Sequence, residues 1–471
     1  MTATPARWYV DITMSFPTYI HTLKLAFDSA GYELYAVGGC VRDRLLDRPV
    51  REYDLTTNAH PDQMKPLLEK VGAHSLYLLG EKFGTIGLIF DGRPVEITTY
   101  RGEWYEPDSR KPTVQFGDSL EDDLARRDFT INAVAEEIGA DRLIDPFGGS
   151  ADLHRRLVRA VGVPDDRFRD DPLRLLRAAR FASTLGFEIE PATFEAIRRC
   201  ASRLDGISRE RVRDETTKML VGPAPARAIT LLVELGLMEY IVPELLELRT
   251  IASSGGGPQH KDVFAHTLRV VSGVPPELVV RWAALLHDVG KPSTLGYKDG
   301  DLHFNGHEKV SEAISRRTLK RLHYDRPTVS AVSKVVGMHT HANAYHDEWT
   351  DGAVRRFVRD AGDELQALLE LSRADVTSYY TRKVRAAARR FDELEARIQK
   401  LDAEAAIASL RPPLDGDDLM NLFDRPPGPW IRPIKDYLLH LVIEGELSPD
   451  DTEHGEQLAR EKYEQLFPAE E

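Results

Sequence analysis

Cysteine is nearly missing from this 471-residue chain, with Cys40 and Cys200 as its two, which excludes a disulfide framework or a Cys-rich zinc site. Long apolar runs are missing too. None approaches the ~20 residues that span a bilayer, so no membrane crossing is expected. Met1 to Val10 lacks the basic segment and apolar stretch of a secretory signal, and together these absences point to the cytoplasm. An excess of cations is also absent, since 62 Lys and Arg against 76 Asp and Glu leave a net charge of −14. Taken alone that speaks against a phosphate-rich partner. Net charge is a sum, however, and arginines cluster at Arg155, Arg156 and Arg159, at Arg209, Arg211 and Arg213, and at Arg382, Lys383, Arg385, Arg389 and Arg390. Such clusters suit an RNA-binding face or ordinary solvated helix faces, so charge decides nothing here.

What is present is length and pattern. A chain of this size divides into about three or four domains. Residues 15–30 predict a helix, Tyr32–Val37 a short strand, and Val41–Leu46 a second helix. Tyr53–Thr56, Gly84–Phe90 and Pro94–Tyr100 carry β-branched and aromatic residues at a period of two, as strands do. Tyr105–Pro112 is polar and reads as a mobile loop, and from about Ser119 the pattern becomes helical almost to the end. Ser253-Ser-Gly-Gly-Gly-Pro258 reads as a linker, and beyond it nine of the 15 histidines fall between His260 and His346. A proline-rich stretch, Arg411 to Pro433, precedes a short helical tail.

Three features of residues 35–100 fit one chemistry. In Tyr35-Ala-Val-Gly-Gly-Cys-Val-Arg-Asp43 a strand runs through Gly38 and Gly39 into a helix, a turn that offers backbone N–H groups to an anion. Arg42, one turn in, is placed to bind phosphate oxygens. Glu52 and Asp54 are two apart on a strand and share a face, and paired hard oxygens hold Mg²⁺ together with substrate phosphates. Glu96, in Val95-Glu-Ile-Thr-Thr-Tyr100, is a charge in a strand otherwise built for burial. Buried charge is expensive unless it is paired or metal-bound, though an edge-strand or salt-bridged glutamate would look the same. Three carboxylates beside a Gly-Gly turn suit two-metal phosphoryl transfer.

These residues belong to an ordered series: Val37-Gly-Gly-Cys-Val-Arg-Asp43, Glu52-x-Asp54, Arg126-Arg-Asp-Phe-Thr-Ile-Asn-Ala133, Asp145-Pro-Phe-Gly-Gly149, Asp170-Asp-Pro-Leu-Arg-Leu-Leu-Arg-Ala-Ala-Arg-Phe181 and Ser208-Arg-Glu-Arg-Val-Arg-Asp-Glu215. The series resembles the class II tRNA nucleotidyltransferases of bacteria, relatives of bacterial poly(A) polymerases. The resemblance implies that Gly38, Gly39 and Arg42 hold a triphosphate. It makes Glu52 and Asp54 the Mg²⁺ ligands, with Glu96 as a third acid. Arg127 and Asp128 would contact the nucleotide and its ribose, supported by Asn132. Asp171 and Arg174 would read the base edge, with Arg177 and Arg180 nearby. Two departures stand out: Glu52 where the family usually has aspartate, and Asp170 where it usually has glutamate. On residue chemistry, Asp171, Arg174 and Arg177 share a helix face opposite Leu173, Leu176 and Phe181, and a carboxylate beside a guanidinium mimics a template base. Asp171-Pro172 also suits a helix cap with proline at the first helical position.

A second constellation follows the linker: Gln259-His-Lys-Asp-Val-Phe-Ala-His266, Trp282-Ala-Ala-Leu-Leu-His-Asp-Val-Gly-Lys291, Phe304-Asn-Gly-His-Glu308, His339 and Asp375. A His-Asp pair closing an apolar helix, with further histidines nearby, suits a transition metal, Mg²⁺ or Mn²⁺. The order resembles the HD phosphohydrolase superfamily, which implies His266, His287, Asp288 and Asp375 as ligands and adds His307 and His339 for a second metal.

The expected fold is multidomain α+β. A helical extension (residues 1–30) precedes a small α/β head with a mixed sheet (31–150), a mostly α-helical neck (151–252), an HD domain (258–380) and a helical body and tail (381–471). By the resemblance the chain adds C, C and A to tRNA from CTP and ATP. A poly(A) polymerase, a CC-only or A-only enzyme, and an HD nucleotide phosphohydrolase with an RNA-binding head remain alternatives. The Tyr105–Pro112 loop speaks against a CC-only enzyme, in which that loop tends to be shortened.

Overall fold

In Val95-Glu-Ile-Thr-Thr99 the odd positions are buried and the even ones are not, so the strand gives one face to a core and leaves the other open. The same alternation organises the whole head. The computed structural model describes residues 16–467 except 73–75, 78–83, 91, 105–112, 118, 141, 254–261, 299–300, 347, 377–380, 410 and 445. The expected mobile loop at Tyr105–Pro112 and all but the first residue of the expected linker lie outside the described residues.

The head comprises α1 (Thr18–Ser29), β1 (Tyr35–Val37), α2 (Gly39–Leu45), β2 (Tyr53–Thr57), α3 (Pro61–Lys70), β3 (Leu76–Tyr77), β4 (Thr85–Phe90), β5 (Arg93–Thr99), β6 (Arg101–Trp104), β7 (Thr113–Phe116), α4 (Leu120–Ala125), β8 (Ala135–Glu137) and β9 (Arg142–Ile144). A seven-stranded sheet runs β3-β4-β5-β2-β1-β8-β9. Within this sheet, among the described residues, only β2 and β5 pair in parallel, which sets Asp54 beside Glu96. Ile20, Leu23 and Phe27 of α1 and Met64 and Leu68 of α3 cover one sheet face against Leu55, Ile86, Leu88 and Ile97. Each such side chain stabilises by roughly 1.5–3 kcal/mol. The buried pair Arg44–Glu136, with both contacts at 3.0 Å, ties α2 to β8, and removing one partner would cost about 3–5 kcal/mol.

Beyond the head come α5 (Gly149–Arg155), β10 (Leu157–Val158), α6 (Pro164–Asp170), α7 (Leu173–Leu185), β11 (Glu188–Ile189), α8 (Pro191–Cys200), α9 (Arg209–Leu220) and α10 (Pro225–Glu234). Then follow α11 (Val263–Gly273), α12 (Leu278–Leu286), β12 (Gly296–Lys298), β13 (Asp301–His303), α13 (His307–Arg321) and α14 (Arg326–Asn343). The chain closes with α15 (Asp351–Ala361), α16 (Leu365–Asp375), α17 (Thr381–Ser409), α18 (Gly416–Phe423), α19 (Ile431–Glu444) and α20 (Thr452–Leu466). Helix dominates after Ser119 as expected, with the short strands β8 to β13 as a correction to it. Each is only two or three residues long, too short to print a period on the sequence.

Two compact units divide the chain: Met1–Thr340 with Glu370–Asp375, and His341–Leu369 with Val376–Glu471. The tail of the second has its own core, in which Leu414, Leu419, Ile434 and Leu438 surround Trp430. Among the described residues no helix is long and apolar enough to cross a membrane.

Candidate active site and metal centre

The turn from β1 into α2 shapes the first site. Gly38 has φ +72°, a backbone angle that favours glycine, and a Cβ there would lie 2.6 Å from Nη1 of Arg127 and displace that guanidinium. Gly39 opens α2 beside the Asp54 carboxylate, whose Oδ2 is 4.0 Å from where a Cβ would stand. Gly38, Gly39, Arg42, Glu52, Asp54, Arg127, Asp128, Asn132, Asp171, Arg174, Arg177 and Arg180 all line one cleft of about 600 Å³. Glu96 is not among its lining residues, but it stands beside Asp54 in the sheet.

Electrostatics set the character of the cleft. Burial pushes Asp54 up to about 6; Arg127 opposes this, while Glu96 and Glu52 reinforce it. A cation among these acids would relieve that strain. Across the cleft the side chains are already engaged. Arg42 donates to Asn132 Oδ1 at 2.9 Å, Asn132 donates to Asp128 Oδ1 at 3.0 Å, and Arg177 donates to Asp128 Oδ2 at 2.7 Å. Burial opposes ionisation of Asp128, yet Arg177 and Asn132 outweigh it and hold the carboxyl below its ordinary value. The network fixes rotamers before any ligand arrives.

Several expectations about this cleft change in detail. Glu96 is exposed rather than buried, because β5 turns its even positions to the open sheet face. Burial cost therefore does not explain its presence. Asp171 precedes α7 with extended backbone, φ −142°, because the following proline disfavours a helical conformation at this position. Its Oδ1 accepts from the Leu173 N–H at 3.1 Å and its Oδ2 meets Arg211 at 2.9 Å, so the cap contact and a cleft-facing carboxylate coexist. Phe181 does not lie opposite the arginines. It is seven residues from Arg174 and shares its face, with the guanidiniums of Arg42, Arg177 and Arg180 at 5.2, 5.2 and 4.2 Å from its ring centre. Leu173, expected on that far side too, also lines the cleft. Two further contributors went unassigned. Arg211 lines the cleft, and buried Asp123 accepts from Arg126 at 2.9 Å and Arg127 at 3.1 Å. The i, i+3 and i, i+4 spacing of Asp123 to the Arg-Arg pair was the available signal.

The second site lies where α11, α12, α13, α14 and α16 deliver their histidines and acids. His266, His287 and Asp375 form one group and Asp288, His307 and His339 another, with ligand atoms inside each group within 4.8 Å of one another. Asp288 reaches both: its Oδ2 is 3.2 Å from His287 Nε2 and its Oδ1 is 3.5 Å from His307 Nε2. Nδ1 of His287, His307 and His339 donates to the carbonyls of Ala284, Phe304 and Val336 at 2.9, 2.8 and 2.7 Å. Those bonds keep a proton on each Nδ1 and turn each Nε2 inward, the ring orientation a metal needs. Burial disfavours charge on His287, but Asp288 and Asp375 outweigh it and push it up to about 10. Burial and His287 together push His339 down to about 4.

One helix has partners in both neighbourhoods. From α9, Arg211 meets Asp171 and Glu215 accepts from Arg180 at 2.6 Å. From the same helix, Arg213 donates to the His323 carbonyl at 2.7 Å and Thr217 meets the Tyr324 hydroxyl. Tyr324 accepts in turn from Trp282 Nε1 at 2.9 Å, on the helix that leads into His287.

Comparison with known proteins adds to this geometry. Residues 34–159 match the poly A polymerase head domain, residues 186–248 a probable RNA and SrmB-binding site of polymerase A, and residues 263–380 the HD domain. An A-adding tRNA nucleotidyltransferase of Deinococcus radiodurans is 36% identical over 419 residues, covering 84% of this chain and 88% of that protein. The chain belongs to the tRNA nucleotidyltransferase family. Within the family, a CCA-adding enzyme of Geobacillus thermodenitrificans is 46% identical over 219 residues, 46% of this chain and 52% of that enzyme. The chain thus matches about half the length of that relative. The crystal structure of Bacillus stearothermophilus CCA-adding enzyme in complex with CTP is 28% identical with a TM-score of 0.57, covering 96% of this chain and 99% of that one. Thermotoga maritima CCA-adding enzyme, solved with tRNA, is 19% identical with a TM-score of 0.55, covering 95% of this chain and 96% of that one, and shares the fold of this tRNA nucleotidyltransferase.

Proposed function

We propose that the head of this tRNA nucleotidyltransferase completes the CCA end of tRNA, using CTP and ATP and releasing pyrophosphate. The observation that carries the reading is the convergence, in one cleft, of a Gly-Gly turn, an acidic pair and an arginine-rich helix face. Gly38 and Gly39 let the triphosphate approach the backbone, and Arg42 neutralises its oxygens. Arg127 and Asp128 hold the nucleotide and its ribose, with Asn132 fixing Asp128. Asp171 accepts from a base amino group while Arg174 donates to ring acceptors, and Arg177 and Arg180 keep that edge in place. Glu52 and Asp54, with Glu96 beside them, are a hard-oxygen set suited to Mg²⁺, which when bound supplies charge stabilisation to the attacking and leaving oxygens. Catalysis then rests on positioning and electrostatics. Work on tRNA goes with a cytoplasmic location.

A second reading of the product is favoured by one observation. The relative matched over 88% of its length is an A-adding enzyme, whereas a CCA-adding relative is matched over 52%. Incubating tRNAs ending before C74, C75 and A76 with CTP or ATP, then sequencing the products, separates full CCA addition from A-only, CC-only and poly(A) synthesis. Addition of A to the tRNA ending in C75, without C addition to the shorter ones, would replace CCA by A-only.

For the second centre we propose an accessory phosphohydrolase. His266, His287, Asp288, Asp375, His307 and His339 would hold two divalent ions, which when bound supply an activated water and a polarised phosphoryl group. Wild-type protein inert toward cyclic and monoester phosphates with Mg²⁺, Mn²⁺, Ni²⁺ and Co²⁺ would make this centre structural.

A further inference from the structure

Strand pairing sets one row of residues across the open face of the head sheet. Tyr77 pairs with Gly87, Gly87 with Glu96, and Glu96 with Asp54. Directly paired residues share a face, so all four belong to the face that carries the acids. The row then approaches the Gly38-Gly39 turn, since Asp54 Oδ2 lies 4.0 Å from the Cβ position of Gly39. The Tyr77 ring leans over Gly87: a Cβ there would meet Cε2, Cδ2 and Cζ at 2.0, 2.4 and 2.7 Å. Glycine is therefore what lets an aromatic ring lie on the sheet at this place. Strands are ~4.8 Å apart, so the ring ends one strand from Glu96 and two from Asp54. The half-buried phenol is held above its ordinary value by burial, then by the charges of Glu96 and Glu52.

The direction of the reaction gives this ring a use, on the reading that the head transfers nucleotides. With the triphosphate over the Gly38-Gly39 turn, pyrophosphate departs toward β1 and α2. An in-line displacement brings the attacking oxygen from the opposite side of the α-phosphorus. That side is the one occupied by β5, β4 and β3. The nucleotide that bears the attacking hydroxyl therefore lies over Glu96 and Gly87, where its base or sugar meets Tyr77. We propose that Tyr77 is a positioning residue for the acceptor strand, its ring stacking on the 3′-terminal nucleotide of the RNA and aiming the hydroxyl past Glu96. Aromatic stacking suits this task because it accepts any base, as an enzyme that extends its own product requires.

The test uses the full-length protein with Tyr77→Leu, Tyr77→Phe and Tyr77→Trp. Stacking of this kind corresponds to roughly a tenfold to hundredfold effect, so Tyr77→Leu should lower kcat/KM for the tRNA acceptor by about that factor. The KM for ATP should stay within about twofold, and the Phe and Trp variants should remain near wild type, because each keeps a stacking face. A readout independent of turnover is a short RNA with 2-aminopurine at its 3′ end, whose fluorescence should be quenched by wild type and by Tyr77→Phe but not by Tyr77→Leu. Wild-type acceptor kinetics in Tyr77→Leu, or a Phe variant as impaired as Leu, overturns the platform. A quench that depends on Tyr77 in a protein that adds no nucleotide keeps the platform and removes the transfer reading. Nucleotide addition without any such quench removes the platform alone.

Discussion

In the head, Glu52 and Glu96 stand exposed around a half-buried Asp54, whereas in the second centre His287, Asp288 and His339 are each 1% exposed or less. Of the head acids, Asp54 and Glu96 stand side by side on β2 and β5, while Glu52, expected on the same strand as Asp54, lies in the bend just before β2; no hydrogen bond among the contacts described above fixes their carboxylates. In the second centre the imidazoles of His287, His307 and His339 are locked by backbone carbonyls, and that of His266 meets Asp375. The difference matches the ligands each would take. A site for Mg²⁺ and a nucleoside triphosphate receives part of the metal's shell from the substrate, so an open half-shell suffices. A centre made of six protein groups supplies most of the shell itself and therefore has to be pre-built.

The largest expected effect breaks the head side of that comparison. Asp54→Ala should lower nucleotide incorporation at least about a thousandfold, since several kcal/mol of charge stabilisation depend on the acidic pair. Hydrolysis by the other centre should be untouched, and radiolabelled CTP and ATP incorporation with parallel phosphodiesterase assays reads both. Glu52→Asp should retain incorporation, because a hard oxygen remains. The converse variant, His287→Ala, should lose metal-dependent phosphate ester hydrolysis by about a hundredfold or more while incorporation persists. Metal content after gel filtration provides a second measure, and equal metal retention by wild type and variant would argue against the ligand role.

A smaller effect sharpens the picture of the arginine face. Arg174→Ala should weaken discrimination of CTP and ATP against GTP and UTP by roughly ten- to a hundredfold, the scale of one bidentate base contact. Asp171→Asn keeps the contact to the Leu173 N–H but offers an amide where a carboxylate stood, so it should damage selectivity without unfolding the helix start. Unchanged incorporation ratios in both variants would leave only the cap. The smallest effect concerns stability in metal-free buffer. Asp54 is raised to about 6 from 3.8, so its ionised form is disfavoured in the fold. That cost is absent below the ordinary value and fully present above the raised one. Asp54→Asn should therefore raise Tm at pH 7–8 and leave it unchanged below pH 3.8, as calorimetry in EDTA can check.

The candidate site was more legible than the architecture around it, for identifiable reasons. Gly38, Arg42, Asp54 and Arg174 lie in runs that are weak one by one, and it is their order along the chain, with the family resemblance it carries, that singles them out. Strands β3, β8 and β9 were not legible because two or three residues print no period, and β8 is held by pairing with β1, about 100 positions earlier, and by Arg44, 92 positions away from Glu136. Polarity places Phe181 on the core side of its helix, whereas spacing places it with Arg174, since seven residues return a helix to the same face. Glu96 was judged by the hydrophobicity of its neighbours, which belong to the other face of the same strand. Tyr77 was missed because its significance lies in the glycine opposite, a fact of register that a single sequence does not contain.

The double duty of α9 has a consequence for how such a chain is cut or shortened. Arg211 and Glu215 hold Asp171 and Arg180 at α7, while Arg213 donates to the His323 carbonyl and Thr217 meets the Tyr324 hydroxyl, which in turn accepts from Trp282. A truncation that keeps the head and neck and discards everything after Glu247 would leave those last two side chains facing water and expose the apolar surface beneath them. Loss of the HD region would therefore have to be accompanied by resurfacing of α9 for the cleft beside it to stay sound.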